Sequence, residues 1–355
     1  MRFASTRLRR RAPSVRRKFA GAALLVALAA CRASAPPPLE DQALADFATP
    51  VEPRELHDSI VACGERFSIG APVVLWSDYG GYDAYSTVPH FAVPANTAPL
   101  QGTRYVPGRR VKREASDAPM LGALAGASSC FNELRSVIDM FVVHYDVCGV
   151  SRTCFKVLQD QRKLSVHFML DIDGTLYQTL DLAETAWHAR QANPRSVGIE
   201  IANMGAYKPG AKSALDDWYL TGEQGTRIRV PIALGDAGVR TPDFIGRPAR
   251  NERIRGAIHG VEYEQYDLTP QQYDTLVKLA AKLCEIFPKL APDAPRGDDG
   301  KVLMRALSDD EFRAFHGILG HFHVTTDKQD PGPAFDWEVF LERVHERMAT
   351  SLSKP

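Results

Sequence analysis

The chain reads as an α/β protein, and three observations carry that reading. Met140–Tyr145 and Ser196–Ala202 are apolar runs of strand length. Thr269-Pro270-Gln271-Gln272 opens a helix well: Thr caps, Pro sits in the first turn, and Gln272 can reach back. Strands then alternate with helices along the chain, which argues for layers of both. A length of 355 residues allows roughly two domains, or one with a long extension. The composition, 45% hydrophobic and 24% charged, is ordinary for a soluble globular protein, and no internal repeat is visible.

The first element is a leader. The formal charge is zero, from 43 Lys plus Arg against 43 Asp plus Glu, but the charges are unevenly spread. Residues 1–31 hold Arg2, Arg7, Arg9, Arg10, Arg11, Arg16, Arg17 and Lys18 and no acidic residue. Without them the chain carries about −8, which excludes a strongly basic nucleic-acid binder. Ala20–Ala30 is an apolar run of 11 residues, short of the roughly 20 that a spanning helix needs, and fits a signal-peptide core. Leu28-Ala29-Ala30-Cys31 resembles the lipobox of bacterial lipoproteins, which implies lipid on Cys31. The alternative is ordinary cleavage near Ala30, with Cys31 incidental. Arg16-Arg17-Lys18-Phe19 also resembles a twin-arginine export signal. Residues 32–55, rich in Pro and Ala, read as a tether. The expected location is therefore the cell envelope, exported and held to a membrane through Cys31. Arg32 is not the Asp that retains lipoproteins in the inner membrane of enteric bacteria, which favours the outer membrane facing the periplasm.

Residues 56–130 read as an N-terminal extension packed on or beside the next domain. Within it Pro72–Trp76 suits a strand, and the aromatic turn Ser77–Tyr85 either lines a sugar groove or packs. From 131 to 355 one domain is expected, with a surface insertion at 205–262. Leu134, Val137 and Ile138 have helical spacing and lead into the strand Met140–Tyr145. Phe155–Gln161 suits a helix. Val166–Asp173 and Thr175–Thr179 form a hairpin turned at Asp173-Gly174. The helix from Thr269 presents Leu276, Leu279, Ala280 and Leu283. Gly317–His321 reads as a strand and Asp336–Leu352 as a closing amphipathic helix.

With Cys31 assigned to lipid, five cysteines remain: Cys63, Cys130, Cys148, Cys154 and Cys284. In an oxidising compartment Cys148 and Cys154 could close a small loop, while a cysteine metal site needs more ligands nearby than the chain offers. An odd count leaves a free thiol unless it pairs between chains.

The polar residues of the second half fall into an ordered series. Phe141-Val-Val-His144-Tyr is followed by Ser165-Val-His-Phe168 with Asp173-Gly174-Thr-Leu-Tyr-Gln178. Ala186-Trp-His-Ala189, Ser196-Val-Gly-Ile-Glu200 and Gly320-His321…Lys328-Gln-Asp330-Pro-Gly332 complete it. A single His on a strand is more often structural than a ligand, and a loop Lys more often solvated than catalytic. Taken together, the series resembles the zinc-dependent N-acetylmuramoyl-L-alanine amidases of the amidase-2 type, relatives of the peptidoglycan-recognition proteins, over residues 131–345.

That resemblance implies a central mixed sheet flanked by helices and a Zn2+ site on His144, His321 and Asp330. A carboxylate as third ligand leaves the metal a net positive charge with which to activate water. Glu200 would take the proton of the attacking water and pass one to the leaving amine. Lys328 would steady the oxyanion, and Trp187 and His188 would contact substrate. Cys148 and Cys154 match the small disulfide of the recognition proteins. The implied partner is peptidoglycan or its muropeptides, cut between N-acetylmuramic acid and L-alanine.

Three departures stand out. The span from His321 to Asp330 is one residue shorter than usual, and Val166 stands where many members carry Tyr. His323 is two residues from His321, so strand alternation would offer a three-His site without Asp330; the Pro-Gly-Pro after Asp330 favours the carboxylate. Two other classes compete: a peptidoglycan-binding lipoprotein of the same fold without catalysis, and a structural lipoprotein joining envelope to wall. A pure binder has no need of the metal triad, and a structural anchor leaves the polar series unexplained.

Overall fold

The computed structural model describes residues 56–89, 99–108, 127–210 and 212–352. The basic leader, Cys31 and the tether at 32–55 lie outside the described residues. Among the described residues no helix is long and apolar enough to cross a membrane.

The framework is a seven-stranded mixed sheet. Strands β1 (His57–Ala62) and β2 (Glu65–Leu75) form an antiparallel hairpin at one edge. A short β3 (Tyr105–Val106) lies outside the sheet, and β4 (Met140–Tyr145) sits one strand in from its other edge. The pair β5 (Phe168–Leu170) and β6 (Leu176–Gln178) turns at Asp173-Gly174, and β7 (Thr185–Ala186) pairs with β3. Strand β8 (Ser196–Ile201) lies between β5 and β4, giving the order β1-β2-β6-β5-β8-β4-β13, with β13 (Gly317–Gly320) at the far edge. Strands β5, β8, β4 and β13 run parallel.

Strand β4 is buried at every residue and β8 at every residue but Glu200. Parallel strands covered on both faces are apolar throughout, which is why both were visible as continuous runs. Alternation nevertheless separates two faces. Phe141, Val143, Val197, Ile199 and Ile201 enter the main core with the helices Pro270–Ile286 and Trp337–Leu352. Met140 and Val142 point to the other side, against Leu319 and Phe312. His144 continues that second face, and Ser196, Gly198 and Glu200 share it.

Several local expectations meet a different backbone. The helix at 155–161 starts earlier, at Ser151, and its second half, Val157–Arg162, winds as a π-helix. At the Thr269 cap, Thr269 Oγ1 accepts from Gln272 N–H at 3.1 Å, and Gln272 Oε1 accepts from Thr269 N–H at 2.9 Å. The extension at 56–130 supplies the edge hairpin of the central sheet itself. The insertion carries a short helix (Ala214–Trp218) and two hairpins. These are β9 (Tyr219–Gly222) with β10 (Gly225–Ile228), and β11 (Ile254–Ile258) with β12 (Val261–Gln265).

The disulfide is not where sequence proximity put it. Cys63, in the β1–β2 turn, is bonded to Cys130 in the helix Ala127–Val137. Cys148 and Cys154 are buried free thiols, so the six-residue loop is not closed. Pairing follows which elements dock, and that helix docks on the edge hairpin through stacked Phe67 and Phe131.

Candidate active site

In parallel sheets polar groups gather where the strands end at their carboxyl sides. Here His144 is the penultimate residue of β4, Glu200 that of β8, and His321 directly follows β13. The β4–β8 register sets His144 directly beside Glu200.

His144 Nδ1 lies 2.8 Å from Asp330 Oδ2 and 3.0 Å from His321 Nδ1, and the last two atoms are 3.0 Å apart. All three residues are buried and form the one group of possible metal ligands among the described residues. Burial, then His321, pushes the His144 imidazole down to about 4, so it is neutral at ordinary pH. Burial opposes the charge on Asp330, yet the two imidazoles outweigh it and hold the carboxyl well below its usual range. Two imidazoles and a carboxylate brought this close together are a donor set that suits zinc. The residues present therefore fit the metal.

His323 does not join them. Residues His321–Val324 form a helical turn rather than more strand, so positions two apart do not share a face. Both ring nitrogens of His323 are used: Nδ1 accepts from Gly320 N–H at 2.9 Å, and Nε2–H donates to the Leu303 carbonyl at 2.6 Å. The three-His alternative falls on that point.

Glu200 is partly open to solvent, but its Oε2 is closed off and meets no hydrogen-bond partner. Burial first, then the carboxylates of Asp330 and Asp146, raises its pKa well above the ordinary value, while Lys328 works the other way. A carboxylate with raised proton affinity beside a metal group is equipped to take and return a proton. Lys328 is thus close enough for its charge to be felt at Glu200 and at His144.

The loop bearing Lys328 and Asp330 is held from outside by the β11–β12 hairpin. His259 Nε2–H donates to the Lys328 carbonyl at 2.9 Å. Gln265 donates to the Pro331 carbonyl at 3.0 Å and accepts from Ala334 N–H at 3.1 Å. Gly332 has φ +90°, and a Cβ there would sit 1.9 Å from Gln265 Oε1, so only glycine fits. No local pattern marks His259 or Gln265, because their partners lie about 70 residues away in sequence.

His188 and Trp187, expected at the substrate, are each half-buried. His188 is drawn into the metal group itself: its Nδ1 lies 3.0 Å from His144 Nε2 and its Nε2 3.1 Å from Ser196 Oγ. Trp187 is its neighbour in sequence, its backbone N–H donating to Ser165 Oγ at 2.9 Å. His167, read as structural, accepts from Gly198 N–H at 3.1 Å.

The family described as N-acetylmuramoyl-L-alanine amidase (Amidase_2) matches residues 134–333, more than half of the chain. No curated protein matches. Among solved structures, a selenomethionine derivative of AmpD is 16% identical, with 59% of this chain and 86% of that one covered at a TM-score of 0.30. The endolysin amidase LysCS from Clostridium intestinale is also 16% identical, with 60% and 86% covered at 0.31. AmiD from E. coli, solved with anhydro-N-acetylmuramic acid-L-Ala-D-gamma-Glu-L-Lys, is 15% identical, with 72% and 65% covered at 0.33. The family match, rather than these distant likenesses, carries the assignment.

Proposed function

Because the chain belongs to the N-acetylmuramoyl-L-alanine amidase family, we propose that it is a zinc-dependent hydrolase of the bond between N-acetylmuramic acid and L-alanine in peptidoglycan or its fragments. The observation that carries the reading is the buried convergence of His144, His321 and Asp330 beside Glu200. His144 Nδ1, His321 Nδ1 and Asp330 Oδ2 would hold the ion. When bound, zinc supplies a Lewis acid that polarises a carbonyl and eases deprotonation of water.

The chain's own residues supply the rest. Glu200 takes a proton from the attacking water and delivers one to the departing amine of L-alanine, so the amide and one water become an acid and an amine. The Lys328 ammonium faces the negative charge that gathers on the carbonyl oxygen. Trp187, at the margin of the site, offers a face to the substrate. Zinc analysis of the purified protein, with mass spectrometry of muropeptides before and after digestion, tests metal and bond together. One zinc per chain and products split between the lactyl group and L-alanine are expected. Zinc-loaded protein that retains muropeptides yet never cuts them would overturn the enzyme reading in favour of a binder.

We also infer that the protein is exported and anchored by lipid on Cys31, from the basic leader, its apolar core and the small residues before that cysteine. Labelled palmitate should enter the wild type and not Cys31→Ala; label in both would refute the anchor.

A further inference from the structure

We propose that His188 is a positioning residue for the metal: it accepts the Nε2 proton of His144, which leaves the His144 Nδ1 lone pair aimed at the ion. The inference rests on the zinc reading above.

An imidazole that ligates through one nitrogen carries its proton on the other. That second N–H normally donates to a carboxylate, a backbone carbonyl or water, which fixes both tautomer and ring orientation. At His144 the ligating nitrogen is Nδ1, so Nε2 must carry the proton. The atom 3.0 Å from it is His188 Nδ1, and the two rings meet edge-on, 85° between planes. For His188 Nδ1 to accept, His188 must carry its own proton on Nε2. That nitrogen faces Ser196 Oγ at 3.1 Å, which can accept it. The proton positions then agree along the chain: His144 donates to His188, and His188 donates to Ser196.

The fold is built around this ring. Ser196, Gly198 and Glu200 share one face of β8, and Gly198 is where the His188 imidazole lies. A Cβ at 198 would stand 2.5 Å from both Cε1 and Nδ1 of His188. The backbone under the ring is fixed too, since Asn193 Oδ1 accepts from the N–H groups of His188 at 3.2 Å and Ala189 at 2.6 Å. A neutral imidazole in this place has a further consequence. It orients His144 without adding negative charge, so Asp330 remains the anionic ligand of the group.

Asparagine and leucine have nearly the same shape, but only asparagine puts an acceptor where His188 Nδ1 stands, which makes the pair a direct test. Zinc affinity is measured by chelator competition on purified protein, with thermal melts of the metal-free forms as a control for folding. His188→Leu should bind zinc about 10–100-fold more weakly than wild type, the usual cost of losing such a partner, and His188→Asn should recover most of that loss. In proton NMR of the zinc-loaded wild type, the His144 Nε2 proton should appear downfield and exchange slowly; it should persist in His188→Asn and vanish in His188→Leu. Equal zinc affinities for the Asn and Leu variants would overturn the proposal, as would a His144 Nε2 proton unaffected in both. A wild type that binds no zinc would instead refute the zinc reading itself, so the two failures are distinguishable.

Discussion

Glu200→Gln is expected to move activity and stability in opposite directions. The substitution preserves shape and removes only the ability to ionise. For activity, loss of a positioned proton carrier lowers turnover by about 10²–10⁴-fold. For stability, the reasoning follows the proton. In the folded, metal-free protein burial and the neighbouring carboxylates raise the Glu200 pKa well above its unfolded value of about 4.3. Between those two values the folded state holds a proton that the unfolded state has released. Stability therefore falls as pH rises through that window, by about 1.4 kcal/mol per pH unit for one proton. Glutamine has no such proton, so the variant lacks this slope. Urea melts of metal-free wild type and Glu200→Gln should nearly coincide near pH 4 and separate above it, the variant becoming the more stable. Muropeptide cleavage followed by mass spectrometry gives the activity arm. Parallel stability curves would show that Glu200 is not shielded, and turnover within tenfold of wild type would remove it as the proton carrier.

Other outcomes follow from features away from the proton path. Replacing both Cys63 and Cys130 by Ser opens a cross-link spanning 67 residues, and the chain-entropy relation gives a loss of up to about 4 kcal/mol in urea unfolding; turnover of the folded fraction should not change. His323→Ala should keep zinc stoichiometry intact while destabilising the fold by roughly 1–3 kcal/mol for each buried group left unpaired, the Gly320 N–H and the Leu303 carbonyl. Loss of the metal in that variant would reinstate it as a ligand. Gly332→Ala meets both a positive φ and Gln265, so a destabilisation of about 2–4 kcal/mol with weakened zinc binding is expected in melts and chelator competition. An unchanged variant would mean that the β11–β12 hairpin does not brace the loop around Asp330.

The parts of the fold legible in the sequence were those fixed by local pattern. Continuous apolar runs marked β4 and β8 because both faces are covered, and Thr269 with Gln272 marked a helix start because a cap is a four-residue event. The three residues that converge, His144, His321 and Asp330, were legible through the ordered series of motifs rather than through any one spacing. What stayed hidden depends on register and docking. Nothing near Glu200 in sequence says that it lies beside His144; the β4–β8 pairing decides that. Proximity along the chain favoured Cys148 with Cys154, whereas the bonded pair is brought together by a helix seated on the edge hairpin. His323 failed as a ligand because four residues change from extended to helical at Gly320, a boundary that the apolar pattern does not mark. His188 belongs to a recognisable motif, but its motif does not reveal that the ring turns toward His144.

The edge hairpin has a mechanical consequence. If the chain is tethered ahead of Leu56, as we propose, and grips a wall polymer, tension would enter the fold at the first residue of β1. Strand β1 is an outer strand, so such a pull opens its ladder to β2 from one end, beginning at the His57–Val73 pair and moving toward Ala62–Glu65. Peeling of this kind breaks backbone bonds one after another and needs little force. It stops at Cys63, where a covalent bond hands the load to Cys130 and the helix behind it. The sheet strands that carry His144 and Glu200 lie beyond that stop, so such a pull would reach them only after the covalent link had taken the load.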